Sequence, residues 1–110
     1  VDKKEYLRPY LDEGESRRPT LTWPRNIPLD GEEPKETLEA VKANAEFHAC
    51  SPIPKLFINV DPGLLLVGEQ REEIRTWKNL KEVTVKGNHF IQEDSPKEIT
   101  DYLKSFISNL

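Results

Sequence analysis

His89 is the side chain of this sequence best suited to move a proton near neutral pH. It follows Gly87 and Asn88, just after the strand-like segment at residues 82–85. Glycine permits the sharp exit that a strand needs at its end, so His89 is expected at the rim of a sheet. Its position alone leaves two interpretations open, a general base and a loop histidine hydrogen-bonded to the backbone.

A second loop is expected at the same edge of the sheet. Residues 55–60 form a short apolar run, typical of a strand buried on both faces of a parallel sheet. Asp61, Pro62 and Gly63 interrupt the run, with Asp61 most simply interpreted as a turn residue. Residues 64–67 are all apolar. Because ligands gather at the carboxyl ends of strands in open α/β sheets, residues 64–67 line either a ligand site or ordinary core.

The remaining pattern predicts helices that alternate with these strands. Helical spacing predicts helices at residues 3–12, 34–49 and 69–77, and the charges of residues 69–75 suggest a solvated face. A last helix begins at Ser95, with Ser95 as its cap, Glu98 completing a capping box and a buried stripe formed by Ile99, Leu103, Phe106 and Ile107. Residues 14–34 contain many glycines and prolines, which predicts a long, ordered loop around Trp23.

The order strand, helix, strand, helix after residue 50 predicts two parallel strands joined by a right-handed crossover. Two parallel strands cannot cover their own apolar faces. The chain is therefore expected to be the end of a larger α/β domain.

Composition argues against several classes of function. The chain has 110 residues, 33% of them charged, and a net charge of -4, which disfavours nucleic acid and anionic membranes as partners. No apolar run approaches the roughly 18 residues of a membrane span. Cys50 is the single cysteine, so no internal disulfide is expected, and a reducing, cytoplasmic location is predicted. No Gly-rich phosphate loop or metal-ligand cluster is visible, and His48 is expected to be structural.

Three segments of the chain resemble the haloalkane dehalogenases. RRPTLTWPRNIPL at residues 17–29 is similar to their cap domain, PKLFINVDPG at 54–63 to their second-to-last core strand, and GNHFIQEDSP at 87–96 to their catalytic-histidine loop. The resemblance implies the α/β-hydrolase fold. Residues 1–50 would be the end of the helical cap and its return, and residues 51–110 the C-terminal part of the core, with its last two parallel strands and helices.

The resemblance also implies a reaction, hydrolysis of a carbon–halogen bond through an aspartyl ester, with His89 as the base that activates water. In the family the nucleophilic aspartate, the halide-binding side chains and the acid partner lie upstream of the matching residues. One related subgroup carries its acid at the position of Gly63, which cannot serve. The chain by itself is expected to be inactive. Its expected partners are a small halogenated hydrocarbon, water, a halide ion and the missing N-terminal part of the fold.

The resemblance further implies a substrate pocket, and it implies no cofactor. Its wall would be formed by Trp23, Pro24, Ile27, Leu64, Leu65 and Phe90. Two alternatives stay open, a coelenterazine luciferase of the same superfamily and an inactive complementation half. The luciferases carry aromatic residues at the positions of Leu64 and Leu65, and the turn at residues 29–32 is typical of the dehalogenases, so a dehalogenase is favoured.

Overall fold

The computed structural model of the chain describes residues 3–27 and 34–110. The chain divides into two compact units, an N-terminal unit (Val1–Ala45) and a C-terminal unit (Glu46–Leu110). The turn predicted at residues 29–32 lies outside the described residues. Among the described helices, none has the length and apolar character that crossing a membrane requires.

The N-terminal unit contains more helix than the sequence suggested. Helix α1 (Lys3–Leu7) continues into a 3₁₀ turn at Arg8–Tyr10, and a second 3₁₀ turn at Glu15–Arg17 leads into helix α2 (Arg18–Arg25). The loop predicted for residues 14–34 is therefore wrong over residues 15–25. Proline in the first turn of a helix removes no needed hydrogen bond, and Pro24 lies so close to the end of α2 that it interrupts little of the helix.

Helix α3 (Lys35–Cys50) confirms the helix predicted at residues 34–49. The chain then enters strand β1 (Lys55–Pro62), helix α4 (Glu69–Arg75) and strand β2 (Leu80–Gly87). The two strands pair in parallel, as the strand–helix–strand order predicts, and the register places Val60 opposite Val85 and Pro62 opposite Gly87. Both strands are longer than their apolar runs, because backbone pairing continues beyond the residues whose side chains are apolar.

The sequence pattern misjudged how the last helix begins. A short helix, α5 (Ile91–Asp94), precedes helix α6 (Pro96–Ile107). Ser95 lies at the start of α6 but makes no side-chain capping hydrogen bond, so the predicted capping box is wrong. Its hydroxyl instead donates to the carbonyl oxygen of Lys86 at 2.6 Å, and Ser95 is only 5% exposed. Ser95 thus joins the start of α6 to the end of β2.

The core of the described residues is small. Among the described hydrophobic residues, Val85 alone is buried, at 4% exposure. On strand β1, buried Asn59 donates from Nδ2 to Thr84 Oγ1 at 3.1 Å. The stripe predicted as buried on α6 is only partly so, since Ile99 and Phe106 are half-buried and Leu103 and Ile107 are exposed. The two strands and their helices therefore leave much apolar surface uncovered.

Candidate active site at the strand ends

The loops that follow β1 and β2 meet at one edge of the sheet. The N–H of Gly63 donates to the carbonyl oxygen of Gly87 at 3.2 Å, directly beyond the pairing of Pro62 with Gly87. The predicted convergence of the two loops at the carboxyl ends of the strands is confirmed. Asp61 lies within β1, opposite Lys86, so its interpretation as a turn residue is wrong.

A cavity of about 220 Å³ lies between these loops within the C-terminal unit. Its lining includes the side chains of Phe57, Leu64, Leu65, Leu66, His89 and Ile91. His89 contributes an imidazole, with two nitrogens able to donate or accept a proton, to a wall made mostly of hydrocarbon. This arrangement suits an apolar molecule that must meet one proton-transferring group.

Arg71 holds the backbone of the loop at residues 62–66. Its guanidinium donates from Nη2 to the carbonyl oxygens of Val60 (3.0 Å) and Pro62 (3.4 Å), and from Nε to that of Leu66 (3.2 Å). The planar fork of arginine suits several acceptors at once. The prediction that the charges of residues 69–75 form only a solvated face is wrong for Arg71. No sequence pattern predicts this contact, because its acceptors are main-chain groups.

Gly63 occupies a position that other residues would strain. Its φ is +76°, and a Cβ there would lie 2.9 Å from the carbonyl oxygen of Val60 and 3.2 Å from Nη2 of Arg71. Glycine is the residue that adopts this conformation without steric cost. A side chain at this position would therefore have to displace the backbone or Arg71.

The His89 loop is tied to the helix that follows it. The N–H of Asn88 donates to Asp94 Oδ2 at 3.1 Å, and the N–H of Glu93 donates to the carbonyl oxygen of Phe90 at 2.9 Å. His89 itself is exposed, and its ring lies 4.7 Å from that of Phe90, centroid to centroid, in an edge-on arrangement. Phe90 is 55% exposed. Its role as a pocket wall stays a prediction.

An ion pair joins α4 to β2 within the C-terminal unit. Arg75 donates from Nε and Nη2 to the two carboxylate oxygens of Glu82, at 2.9 and 2.7 Å. This hydrogen-bonded guanidinium lowers the pKa of the Glu82 carboxyl below its ordinary value. The same contacts, chiefly that with Glu82, raise the pKa of Arg75, so the pair stays charged over the neutral range.

The three cap-like candidates belong to the N-terminal unit. Trp23 and Pro24 lie near the end of α2, with Trp23 69% exposed, and Ile27 follows the helix at 44% exposure. A contiguous exposed apolar patch marks an interaction or ligand surface, whereas single exposed apolar side chains are ordinary. Their predicted place beside the substrate stays a prediction.

Two other potentially reactive side chains of the C-terminal unit, His48 and Cys50, lie outside the lining of the cavity. The ring of His48 stacks on that of Trp77 with centroids 5.6 Å apart, which agrees with its expected structural role. Cys50 is an exposed free thiol. Over residues 3–27 and 34–110, no three His, Cys, Asp or Glu side chains are grouped so that they could bind a metal ion.

Comparison with known proteins gives relatives over nearly the whole chain. A haloalkane dehalogenase of Sphingobium indicum is 50% identical over 105 residues, which are 96% of this chain and 35% of the relative. The coelenterazine h 2-monooxygenase of Renilla reniformis is 42% identical over 106 residues, 96% of this chain and 34% of the relative. No protein-family model matches the chain.

Solved structures agree with the sequence relatives. The haloalkane dehalogenase DatA of Agrobacterium tumefaciens C58 superposes with a TM-score of 0.82 at 30% identity, covering 96% of this chain and 36% of that structure. The chain thus spans about a third of the length of the proteins that it matches. It is homologous to the C-terminal part of the haloalkane dehalogenases and has the fold of the corresponding part of an α/β-hydrolase.

Proposed function

We propose that the chain supplies the base and part of the pocket of a haloalkane dehalogenase, with His89 as the base. The observation that carries this proposal is the apolar cavity in which the His89 imidazole meets Leu64 and Leu65. The 50% identity to the dehalogenase of Sphingobium indicum supports it. The substrate class is a small halogenated hydrocarbon, and the reaction uses water and releases a halide ion.

The proposed reaction has two steps, and His89 acts in the second. First, a carboxylate oxygen of an aspartate outside this chain attacks the carbon that bears the halogen. A carbon–oxygen bond forms while the carbon–halogen bond breaks, and the halide leaves with the electron pair. Dividing hydrolysis into two displacements replaces one difficult step by two easier ones.

In the second step a water molecule attacks the carbonyl carbon of the ester, and His89 takes one proton from that water. The acyl carbon–oxygen bond to the alkyl group then breaks, and the alkoxide takes the proton from His89 and leaves as the alcohol. The new carboxyl group loses the second proton of the water to solvent, which restores the aspartate carboxylate, so the net products are the alcohol, the halide ion and a proton. An unprotonated imidazole is required, held by an acid partner that also lies outside this chain. The side chains proposed to contact the substrate are those of Leu64, Leu65, Phe90, Trp23, Pro24 and Ile27.

A chimera tests the proposal, with the full 110-residue chain replacing the matching C-terminal part of the Sphingobium indicum enzyme. Wild-type chimera should release halide over many turnovers. His89→Gln should release about one halide per enzyme and accumulate the alkyl ester, visible as added mass on the intact protein. Sustained turnover by His89→Gln would remove His89 from the role of base.

The relative from Renilla reniformis gives a second candidate, oxidation of a coelenterazine, since it is 42% identical. The aliphatic wall formed by Leu64 and Leu65 favours the dehalogenase. Assaying the same chimera with coelenterazine separates the two. Light emission without halide release from any haloalkane would favour the luciferase.

A further inference from the structure

The backbone on both sides of His89 is held by the short helix α5. Asn88 donates its N–H to Asp94 Oδ2 at 3.1 Å, and the carbonyl oxygen of Phe90 accepts hydrogen bonds from the N–H groups of Glu93 (2.9 Å) and Asp94 (3.4 Å). His89 therefore lies between Asn88, whose N–H is bound to Asp94, and Phe90, whose carbonyl oxygen is bound to Glu93 and Asp94. Asp94 takes part on both sides, through its carboxylate and its N–H.

The end of β2 is shaped to accept the Asp94 carboxylate. A Cβ at Gly87 would lie 2.8 Å from Asp94 Oδ2 and 3.1 Å from its Cβ, so the close approach of Asp94 requires glycine there. The next residue, Ser95, is buried and donates from Oγ to the carbonyl oxygen of Lys86 at 2.6 Å. Asp94 is thus fixed at the strand end by its own contact and by that of its neighbour.

We infer that Asp94 is a positioning residue for the base, acting through the Asn88 N–H to fix the approach of His89. This inference rests on the proposed function of His89. A carboxylate that accepts a backbone N–H makes a stronger hydrogen bond than a neutral acceptor. Catalysis is sensitive to small displacements of a reacting group, so release of the loop slows the step in which His89 acts. The first displacement does not use His89 and keeps its rate.

The test compares Asp94→Ala, Asp94→Asn and Gln92→Ala in the chimera described above. Asparagine keeps an oxygen that can accept the Asn88 N–H, whereas alanine removes it. Gln92 is an exposed residue of the same helix and serves as the control. Rapid-quench kinetics measure the burst of halide and the hydrolysis of the alkyl ester separately. Hydrogen exchange measures protection of the Asn88 amide.

In Asp94→Ala we expect ester hydrolysis to slow by about 10- to 100-fold, with an unchanged halide burst and faster exchange of the Asn88 amide. Asp94→Asn should recover most of the rate of ester hydrolysis and most of the protection of the Asn88 amide. Gln92→Ala should match wild type. Equal slowing of both chemical steps would indicate general damage and overturn the inference. An unchanged rate of ester hydrolysis despite lost protection of the Asn88 amide would also overturn the inference. If the wild-type chimera makes no ester and releases no halide, the proposed function itself fails, and the exchange data alone then decide whether Asp94 holds the loop.

Discussion

The guanidinium of Arg71 donates a hydrogen bond to the carbonyl oxygen of Val60 at 3.0 Å, across the turn that leaves β1. Two further bonds, to the carbonyls of Pro62 and Leu66, make the side chain a bridge between α4 and the loop that carries Leu64 and Leu65. Arg71 therefore holds the backbone of the cavity wall that carries Leu64 and Leu65, although Arg71 does not itself line the cavity.

Replacing Arg71 with glutamine should loosen that wall. A hydrogen bond from a charged group contributes about 1.5–3 kcal/mol. Since only the bond to Val60 is partly buried and those to Pro62 and Leu66 are exposed, the free energy of unfolding of the chimera should fall by no more than about that amount. Selectivity among haloalkanes of different width should also broaden. Arg75→Gln is the matched control, because Arg75 lies on the same helix and contacts the side chains of Glu72 and Glu82. Equal changes in selectivity in both variants would argue against a role of Arg71 in shaping the cavity.

Leu65→Ala should change substrate choice more than stability. Leu65 is 60% exposed while it lines the cavity, so its truncation removes little packing within the chain. We expect bulkier haloalkanes to be accepted, with the free energy of unfolding lowered by less than about 1 kcal/mol, whereas a core leucine would cost about 2–5 kcal/mol. Competition between haloalkanes of different size, together with denaturant unfolding, measures both effects. A large loss of stability with unchanged selectivity would identify Leu65 as core.

The ion pair between Arg75 and Glu82 predicts a stability change in acid. The pKa of Glu82 is lowered in the folded chain, so its ionised carboxylate stabilises the fold. That contribution to the free energy of unfolding is complete above the unfolded pKa of about 4.3 and is lost as pH falls through the folded pKa. Glu82→Gln should therefore lower the thermal midpoint at pH 7, with a free-energy cost of up to about 1 kcal/mol for a partly exposed pair. The difference from wild type should shrink steadily below about pH 4. A difference that stays constant down to pH 2 would contradict this assignment.

The chain alone should be neither a stable monomer nor an active enzyme. Large apolar residues of the C-terminal unit stand exposed, among them Leu64, Leu66, Ile107 and Leu110, and exposed apolar surface of this kind promotes association. The free edges of a two-stranded sheet add to that tendency. Adding the N-terminal part of the Sphingobium indicum enzyme as a separate polypeptide should restore a cooperative thermal transition and halide release. Both properties in the chain alone would contradict the prediction.

Sequence periodicity was sufficient to predict most of the C-terminal unit. A β-rich apolar run at residues 55–60, a charged helix and a second short strand specify a parallel pair, because the crossover between parallel strands needs the length that the helix supplies. The same reasoning predicted that the loops of His89 and of residues 64–67 would meet, since both follow strands that end at one edge, and His89 does line one cavity with residues 64–66. These conclusions depend only on local pattern and chain direction.

Proline misled the prediction for the N-terminal unit. Pro19 and Pro24 suggested a loop, yet α2 tolerates both, since one lies in its first turn and the other close to its end. Sequence signals penalise proline in a helix without knowing where the helix begins. Just before α2, Arg17 donates hydrogen bonds to the carbonyl oxygens of Tyr10 and Leu11, contacts that the local sequence pattern does not reveal.

The choice of hydrogen-bond partner was decided by the tertiary structure alone. Ser95 has the local sequence of a helix cap, but β2 brings the Lys86 carbonyl within 2.6 Å of its hydroxyl, and that acceptor is used instead. Arg71 likewise binds main-chain carbonyls, which every residue carries and no sequence pattern distinguishes. The sequence determined which side chains could do chemistry and at which edge of the sheet they lie. Only folding decided which donors hold them there, because a hydrogen bond depends on distances of a few tenths of an ångström between groups far apart in the chain.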